Sequence, residues 1–278
     1  MRDDELRDGL DKLLRPAREA PPPGLAVIRR RLRRRRIRAS VAGVVAAAAT
    51  GVVAVVVAVH GGRPPVPAVA AQPGGPHQVA YSYKVSSPVS RLDIDAGASS
   101  VTVTGGAANT PVQVSEQVSY SRTEPELHES VTAGTLDLGY SCPAGQGCGV
   151  SYDVQVPAGL TVMVNLRSGS IDLAGLSGPV IAATGTGTIN AALASTNVSL
   201  TVQTGDITAN LSKPPLDLAV SDGTGSVVIG VPGTASYDLQ YNLDVAVSNI
   251  TIKQDLSSPY QINVSSSHAS SLYIGGLK

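Results

Sequence analysis

The sequence predicts an all-β domain, built as a β-solenoid of 18–20-residue repeats and carried behind one transmembrane helix and a short helical cytoplasmic tail. Three observations predict it. Residues 159–229 return at regular intervals to a glycine, one polar residue, then Ile or Val. A run of 19 uncharged residues, 41–59, follows a block of arginines. Beyond that run no segment carries a helical period, and β-branched residues, Ser, Ala, Gly and Pro dominate.

Composition narrows the core. The chain has 278 residues and is 42% hydrophobic, yet it holds nine Tyr and no Phe or Trp. Its interior must be thin and filled by Val, Ile, Leu and Ala. The net charge of zero hides a split: residues 1–40 carry 13 Lys and Arg against 6 Asp and Glu, and the remainder carries 8 against 15. Segments of opposite sign suit different surroundings.

Residues 1–40 read as a cytoplasmic tail. Leu6, Leu10, Leu13 and Leu14 fall on one helical face, with Asp3, Asp4 and Glu5 at its N-terminal end, where acidic groups suit the helix dipole. Pro21–Pro23 and Gly24 end that unit, and Leu25, Ile28 and Leu32 begin a second face. Residues 3–14 could dock a cytoplasmic partner. The plainer alternative is a marginal helix beside a basic cluster that contacts anionic lipid. That cluster is Arg29, Arg30, Arg31, Arg33, Arg34, Arg35, Arg36 and Arg38. No aromatics are interleaved with it, so no nucleic-acid partner is expected.

Residues 41–59, VAGVVAAAATGVVAVVVAV, would form a helix roughly 28 Å long, close to the ~30 Å hydrocarbon core of a bilayer. Eight arginines precede it, and one, Arg63, follows closely. The positive-inside rule puts the N-terminus in the cytoplasm and the C-terminal domain outside the cell membrane. A buried core helix fits the arginine wall poorly. A cleaved signal peptide, with Ala68–Ala70 as its small-residue site, has too long an apolar run for the usual 7–15 residues. The segment is read as an uncleaved signal-anchor. Residues 60–78, rich in Pro and Gly, form an extended linker.

Residues 79–278 form the extracytoplasmic domain. VAYSYKV (79–85), SRLDIDA (90–96), SVTVTG (100–105) and VQVSEQVSYS (112–121) alternate apolar with polar residues, as half-buried strands do. TLDLGYS and GVSYDVQVPAG flank Cys142 and Cys148, the two cysteines of the chain. Outside the membrane disulfides persist, and a five-residue loop between strands can be closed by a Cys142–Cys148 bridge. No metal is expected there, because His60, His77, His128 and His268 are scattered.

The repeat aligns on Gly169, Gly187, Gly205 and Gly225. Four apolar columns keep their offsets: Ile171, Ile189, Ile207, Val227; Val162, Val180, Val198, Leu218; Val164, Ala182, Leu200, Val220; and Leu173, Ala191, Ala209, Ile229. Each unit is a strand, a glycine corner with φ > 0, and a second strand. Stacking the units aligns each column as a ladder. GASSVTV (97–103), SNITI (248–252) and SSLYI (270–274) are weaker echoes. A sandwich of β-hairpins with tight turns at the glycines is the competing arrangement.

VPAGLTVMVNLRSGSIDLAGLSGPV, followed by TGTGTI, TGDI and GTGSVVIGVP, resembles the bacterial putative-adhesin domain family in its membrane-anchored actinobacterial type. The resemblance covers about residues 90–278 and is firmest over 153–232. It implies a β-solenoid-like fold, display at the cell surface and adhesion-like binding; that family is a domain of unknown function and supplies no catalytic residues. Asp206 carries the family-like acid after glycine, whereas Ser170, Thr188 and Ser226 depart from it, which counts against ion binding by this column.

No carboxylate ladder suited to acid–base cleavage forms: Asp172 continues as Asn190, Thr208 and Val228. Asp217 and Asp222 are read as part of a solvated polar face. Nucleophile-elbow, P-loop, zinc-protease and calcium-nonapeptide motifs are missing from the sequence. The expectation is a non-enzymatic, single-pass surface protein without cofactor, whose partner is cell-wall glycan or another surface protein. The alternative is an envelope-sensing regulator that signals through the N-terminal helix.

Overall fold

The structure, a computed structural model, describes residues 76–243, 248–268 and 271–277. The expected cytoplasmic tail, arginine block and membrane helix and nearly all of the expected linker lie outside the described residues. Every regular element among the described residues is a strand, so no helix there is long and apolar enough to cross a membrane. The strands are β1 (His77–Lys84), β2 (Arg91–Gly106), β3 (Gln113–Tyr120), β4 (Glu126–Thr132), β5 (Thr135–Ser141), β6 (Cys148–Pro157), β7 (Thr161–Ala174) and β8 (Val180–Leu193). They continue as β9 (Asn197–Leu211), β10 (Asp217–Thr224), β11 (Ser226–Pro232), β12 (Ser236–Leu243), β13 (Ser248–Ile250), β14 (Lys253–Gln254), β15 (Gln261–Ser266) and β16 (Ser271–Leu277). The first strand starts two residues ahead of the expected boundary at 79.

Strands β7, β8 and β9 run parallel in one register. Gly169 pairs with Gly187 and Gly187 with Gly205, as Ile171 pairs with Ile189 and Ile189 with Ile207. The expected corner lies inside each strand rather than between two strands, because neighbours bend at the same place and keep their pairing through the bend. Burial shows what the bend does. In β7, Val162, Val164 and Leu166 are buried, then Ile171 and Leu173. The inward phase moves from even to odd numbers across Gly169. Both arms therefore face the same interior, because the bend shifts the alternation by one residue.

The arms build long apolar ladders. On the first arm Leu136, Leu92, Val162, Val180, Val198, Leu218, Ile262 and Leu239 are successive register neighbours. On the second, Tyr152, Val101, Ile171, Ile189, Ile207, Val227 and Leu272 follow in the same way. Nearly all are fully buried. Because β-branched and γ-branched side chains stack on themselves, a core without Phe or Trp still closes.

Chain order and spatial order part at both ends. At the start, β2 lies between β7 on one side and β5 with β6 on the other, although β5 and β6 come later in the chain. At the finish, β15 lies between β10 and β12, and β16 between β11 and β13. The last strands are thus inserted one layer inward. Antiparallel strands β1, β3 and β4 complete the first end. The β4–β5 turn at Ala133 and Gly134 has φ of 51° and 77°, as a two-residue hairpin with mirror-image turn geometry requires.

Cys142 and Cys148 form a disulfide, with Cα atoms 5.9 Å apart. The loop that they close joins β5 to β6, which lie along the two arms of β2. It stands where later layers have their glycine corner. Reduction removes the closure of a short loop and leaves the ladders intact. We expect reduction to lower thermal stability by about 2 kcal/mol, with the far-ultraviolet β signal retained below the new Tm, as circular dichroism with and without reductant would show.

Candidate functional site

The outward positions of the first arms carry the most regular chemistry on the molecule. Between each buried pair stands an outward residue: Ser199 and Thr201 on β9, Ala219 and Ser221 on β10, Asn263 and Ser265 on β15, Gln240 and Asn242 on β12. These residues line an open groove of about 380 Å³. A second groove of about 390 Å³, lined by Asn165, Arg167, Ala183, Gly185, Thr201 and Gln203 among others, shares Thr201 with the first. Together they form a trough across six strands, β7 to β12, about 24 Å at ~4.8 Å per strand. It runs across the strands, along the stacking direction.

Small residues make the trough concave. Ser199, Ala219 and Ser221 form its floor and are half-buried, while Gln240 and Asn242 at one end are exposed. Arg167 is the one charged side chain lining either groove, at the opposite end. Hydroxyl and amide groups can both donate and accept hydrogen bonds, so this surface presents repeated neutral bonding groups. Beside the second groove Asn165 donates to Asp95 Oδ1 at 3.3 Å, and on the outward face of the second arms Asn190 donates to Asp172 Oδ1 at 2.9 Å. Such cross-strand pairs fix side chains in rows.

Acidic groups gather outside the trough. Asp93 on β2 is register neighbour of Asp137 on β5. Burial pushes the Asp93 carboxyl up; Arg91, 3.7 Å away, opposes the rise, and Asp137 and Asp95 add to it. Among the described residues no group of three or more His, Cys, Asp or Glu is arranged to hold a metal.

Asp222 corrects the sequence reading of a solvated side chain. It occupies an inward position, 2% exposed, in the column Leu166, Thr184, Val202, Asp222, Ser266. Neither of its carboxylate oxygens has a hydrogen-bond partner, and neither does Ser266 Oγ. Asp217 does stay exposed. The phase of Leu218 and Val220 carries Asp222 inward. Thr184, in the same column, satisfies itself by donating to the carbonyls of Gly169 and Thr186, each at 3.4 Å. The Asp222 carboxylate finds no donor in its place, and desolvation, then Asp206, raise its pKa above 3.8.

The residues singled out in the sequence divide accordingly. Gly169, Gly187, Gly205 and Gly225 come together in one line of corners with φ of 127°, 145°, 135° and 156°. Cys142 and Cys148 sit at the corner of another layer, and the arginine cluster lies outside the described residues. The trough residues Gln240 and Asn242 were not singled out. Alternation marks them as outward, but only the inserted order of β15 and β12 makes them neighbours of Asn263 and Ser265.

No protein-family model matches the chain, and no curated protein matches it in sequence. Among solved structures, a putative cell adhesion protein from Clostridium sporogenes is 14% identical, with a TM-score of 0.42, over 72% of this chain and 98% of that one. A putative adhesin from Bacteroides fragilis is 17% identical, with a TM-score of 0.26, over 71% and 97%. Another from Parabacteroides merdae is 9% identical, with a TM-score of 0.24, over 71% and 96%. At these scores none of them assigns a function or a site to this chain.

The folded state binds the Asp222 proton more tightly than the unfolded state does. Its stability cost is therefore full above the raised folded pKa and vanishes below about 3.8, the unfolded value. Asp222→Thr, copying Thr184, should stabilise the protein at pH 7 by about 1–3 kcal/mol, raising Tm by roughly 2–10 °C. That gain should shrink as the pH falls toward 3.8. Paired melts at pH 7 and pH 4 check both statements.

Proposed function

We propose that this chain is a non-enzymatic, single-pass protein of the bacterial cell surface whose residues 79–278 form a β-solenoid that binds extended neutral glycan of the cell wall. The N-terminal 40 residues stay in the cytoplasm, residues 41–59 anchor the chain, and the linker holds the domain off the membrane. The observation that carries this reading is the trough from β7 to β12. Its outward side chains are mainly Ser, Thr, Asn and Gln, with Ala183, Ala219 and Arg167 among them and the exposed Tyr241 beside them, and it lies in a domain with an excess of acidic residues.

The match is chemical. A neutral polysaccharide offers hydroxyl groups at near-regular intervals along one direction. The trough offers hydroxyl and amide groups at one strand spacing, ~4.8 Å, along one direction. A neutral floor imposes no charge to desolvate, whereas a polyanion would meet an acidic domain. Binding spread over many weak rungs tolerates variation in the polymer, as an adhesin-like role at the envelope requires.

Full-length protein in detergent, mixed with isolated actinobacterial wall sacculi, should pellet saturably, and removal of the wall glycopolymers should show which polymer is bound. Ser221→Lys places a solvated charge on the floor at an outward position, where stability should change by less than about 0.5 kcal/mol. Its apparent affinity should fall at least tenfold. No pelleting of the wild type, or equal pelleting of Ser221→Lys, would contradict the reading.

A further inference from the structure

We propose that a second glycan-binding site, an aromatic platform centred on Tyr273, lies on the outward face of the second arms, on β11, β16 and β13. It shares with the proposed function only the class of ligand, and it uses none of the trough residues.

Tyr273 is 42% exposed although it is a large aromatic side chain on a regular strand. Its ring lies along its own strand over Gly275. Cζ, Cε1 and Oη of Tyr273 occupy the space that a side chain at position 275 would need. Gly275 is buried beneath it. One side of the aromatic group is thus seated on backbone and the rest stays open to solvent, an arrangement in which an aromatic covers a strand glycine.

The surroundings match one kind of ligand. Val228 on β11 is the direct register neighbour of Tyr273 and is 37% exposed. Leu277, 39% exposed, lies over Gly230 on β11, where Asn210 Oδ1 also approaches. Asn249 is the register neighbour on the other side, on β13. The platform is therefore an apolar floor with an amide on either flank, and neither register neighbour of Tyr273 is charged.

A pyranose ring has the complementary shape. Its C–H faces are apolar and its hydroxyl groups point outward around the rim. Setting a C–H face on Tyr273 removes apolar surface from water on both partners. The hydroxyl edge then meets Asn249 on the adjacent strand, and the next sugar of the same glycan reaches Asn210 beside Gly230; both amides donate and accept. A ring of this size covers about one strand spacing, ~4.8 Å, so one sugar reaches both Tyr273 and an adjacent strand.

Calorimetric titration of the full-length protein in detergent with cellohexaose and chitohexaose tests this, using a Ser221→Lys background that disables the trough. One of the two sugars should bind in that background. Tyr273→Phe should keep affinity within about threefold, and Tyr273→Ala should lower it at least tenfold. Gly275→Ala keeps the tyrosine but displaces its ring, and it should weaken binding as well. Its backbone φ is not positive among the described glycines, so the added methyl strains the ring rather than the strand. The platform is overturned if neither sugar binds in the Ser221→Lys background, or if Tyr273→Ala binds as well as its parent. Binding lost with Ser221→Lys alone leaves the trough standing and removes the platform. Self-association that Tyr273→Ala abolishes, without sugar binding, would assign the patch to contact between copies and also overturn it.

Discussion

Each corner glycine leaves its side-chain space to the backbone of the layer before it. A Cβ on Gly187 would overlap the carbonyl oxygen of Gly169, one on Gly205 that of Gly187, and one on Gly225 that of Gly205. Gly169 stands in the same relation to Ser99. The φ values, 127° to 156°, belong to a region that side chains rarely adopt. Two independent demands, torsion and close approach, therefore select the same residue. The corner also moves the inward phase by one residue, which lets Val162 and Ile171 share one interior. Without that shift one arm would present its apolar face to solvent.

A thin core follows from this geometry. No aromatic side chain occurs in residues 159–229, where the layers repeat. Val, Ile, Leu and Ala stack on their own kind along the ladders instead. Tyr152 and Tyr237 are buried at the two ends, where the layers are no longer alike. The terminal insertions of β2 and of β15 with β16 belong to the same picture. A stack of parallel layers ends in open edges that invite pairing with another chain. Here the outermost strands at the far end, β13 and β14, are only three and two residues long.

Residues 160–230 were legible because one physical pattern repeats there. The glycine spacing, the four columns and the φ > 0 expectation all describe positions that now stand in one register. Other parts were hidden for stated reasons. β4 is exposed along nearly its whole length, so it has no alternation to read. β2 looked like two strands because Gly97 interrupts the pattern, although its hydrogen bonding continues. Asp222 looked solvent-facing by residue type, whereas its phase places it inside. Tyr241 errs the other way: it keeps the inward phase of Tyr237 and Leu239 but is 53% exposed at the end of the stack. The candidate site was legible only as rows of polar side chains. Which rows touch depends on the inserted strand order, and no local signal carries that.

The measurement that tests the central constraint most directly is thermal unfolding of Gly187→Ala beside the wild-type protein. Gly187 has corner glycines on both sides, Gly169 and Gly205. The added methyl meets both the strained torsion and the Gly169 carbonyl, so a loss of about 3 kcal/mol or more is predicted, a fall in Tm of roughly 6–12 °C. A Tm within about 1 °C of the wild type would mean that the layers do not depend on the corner contact, and would contradict the account.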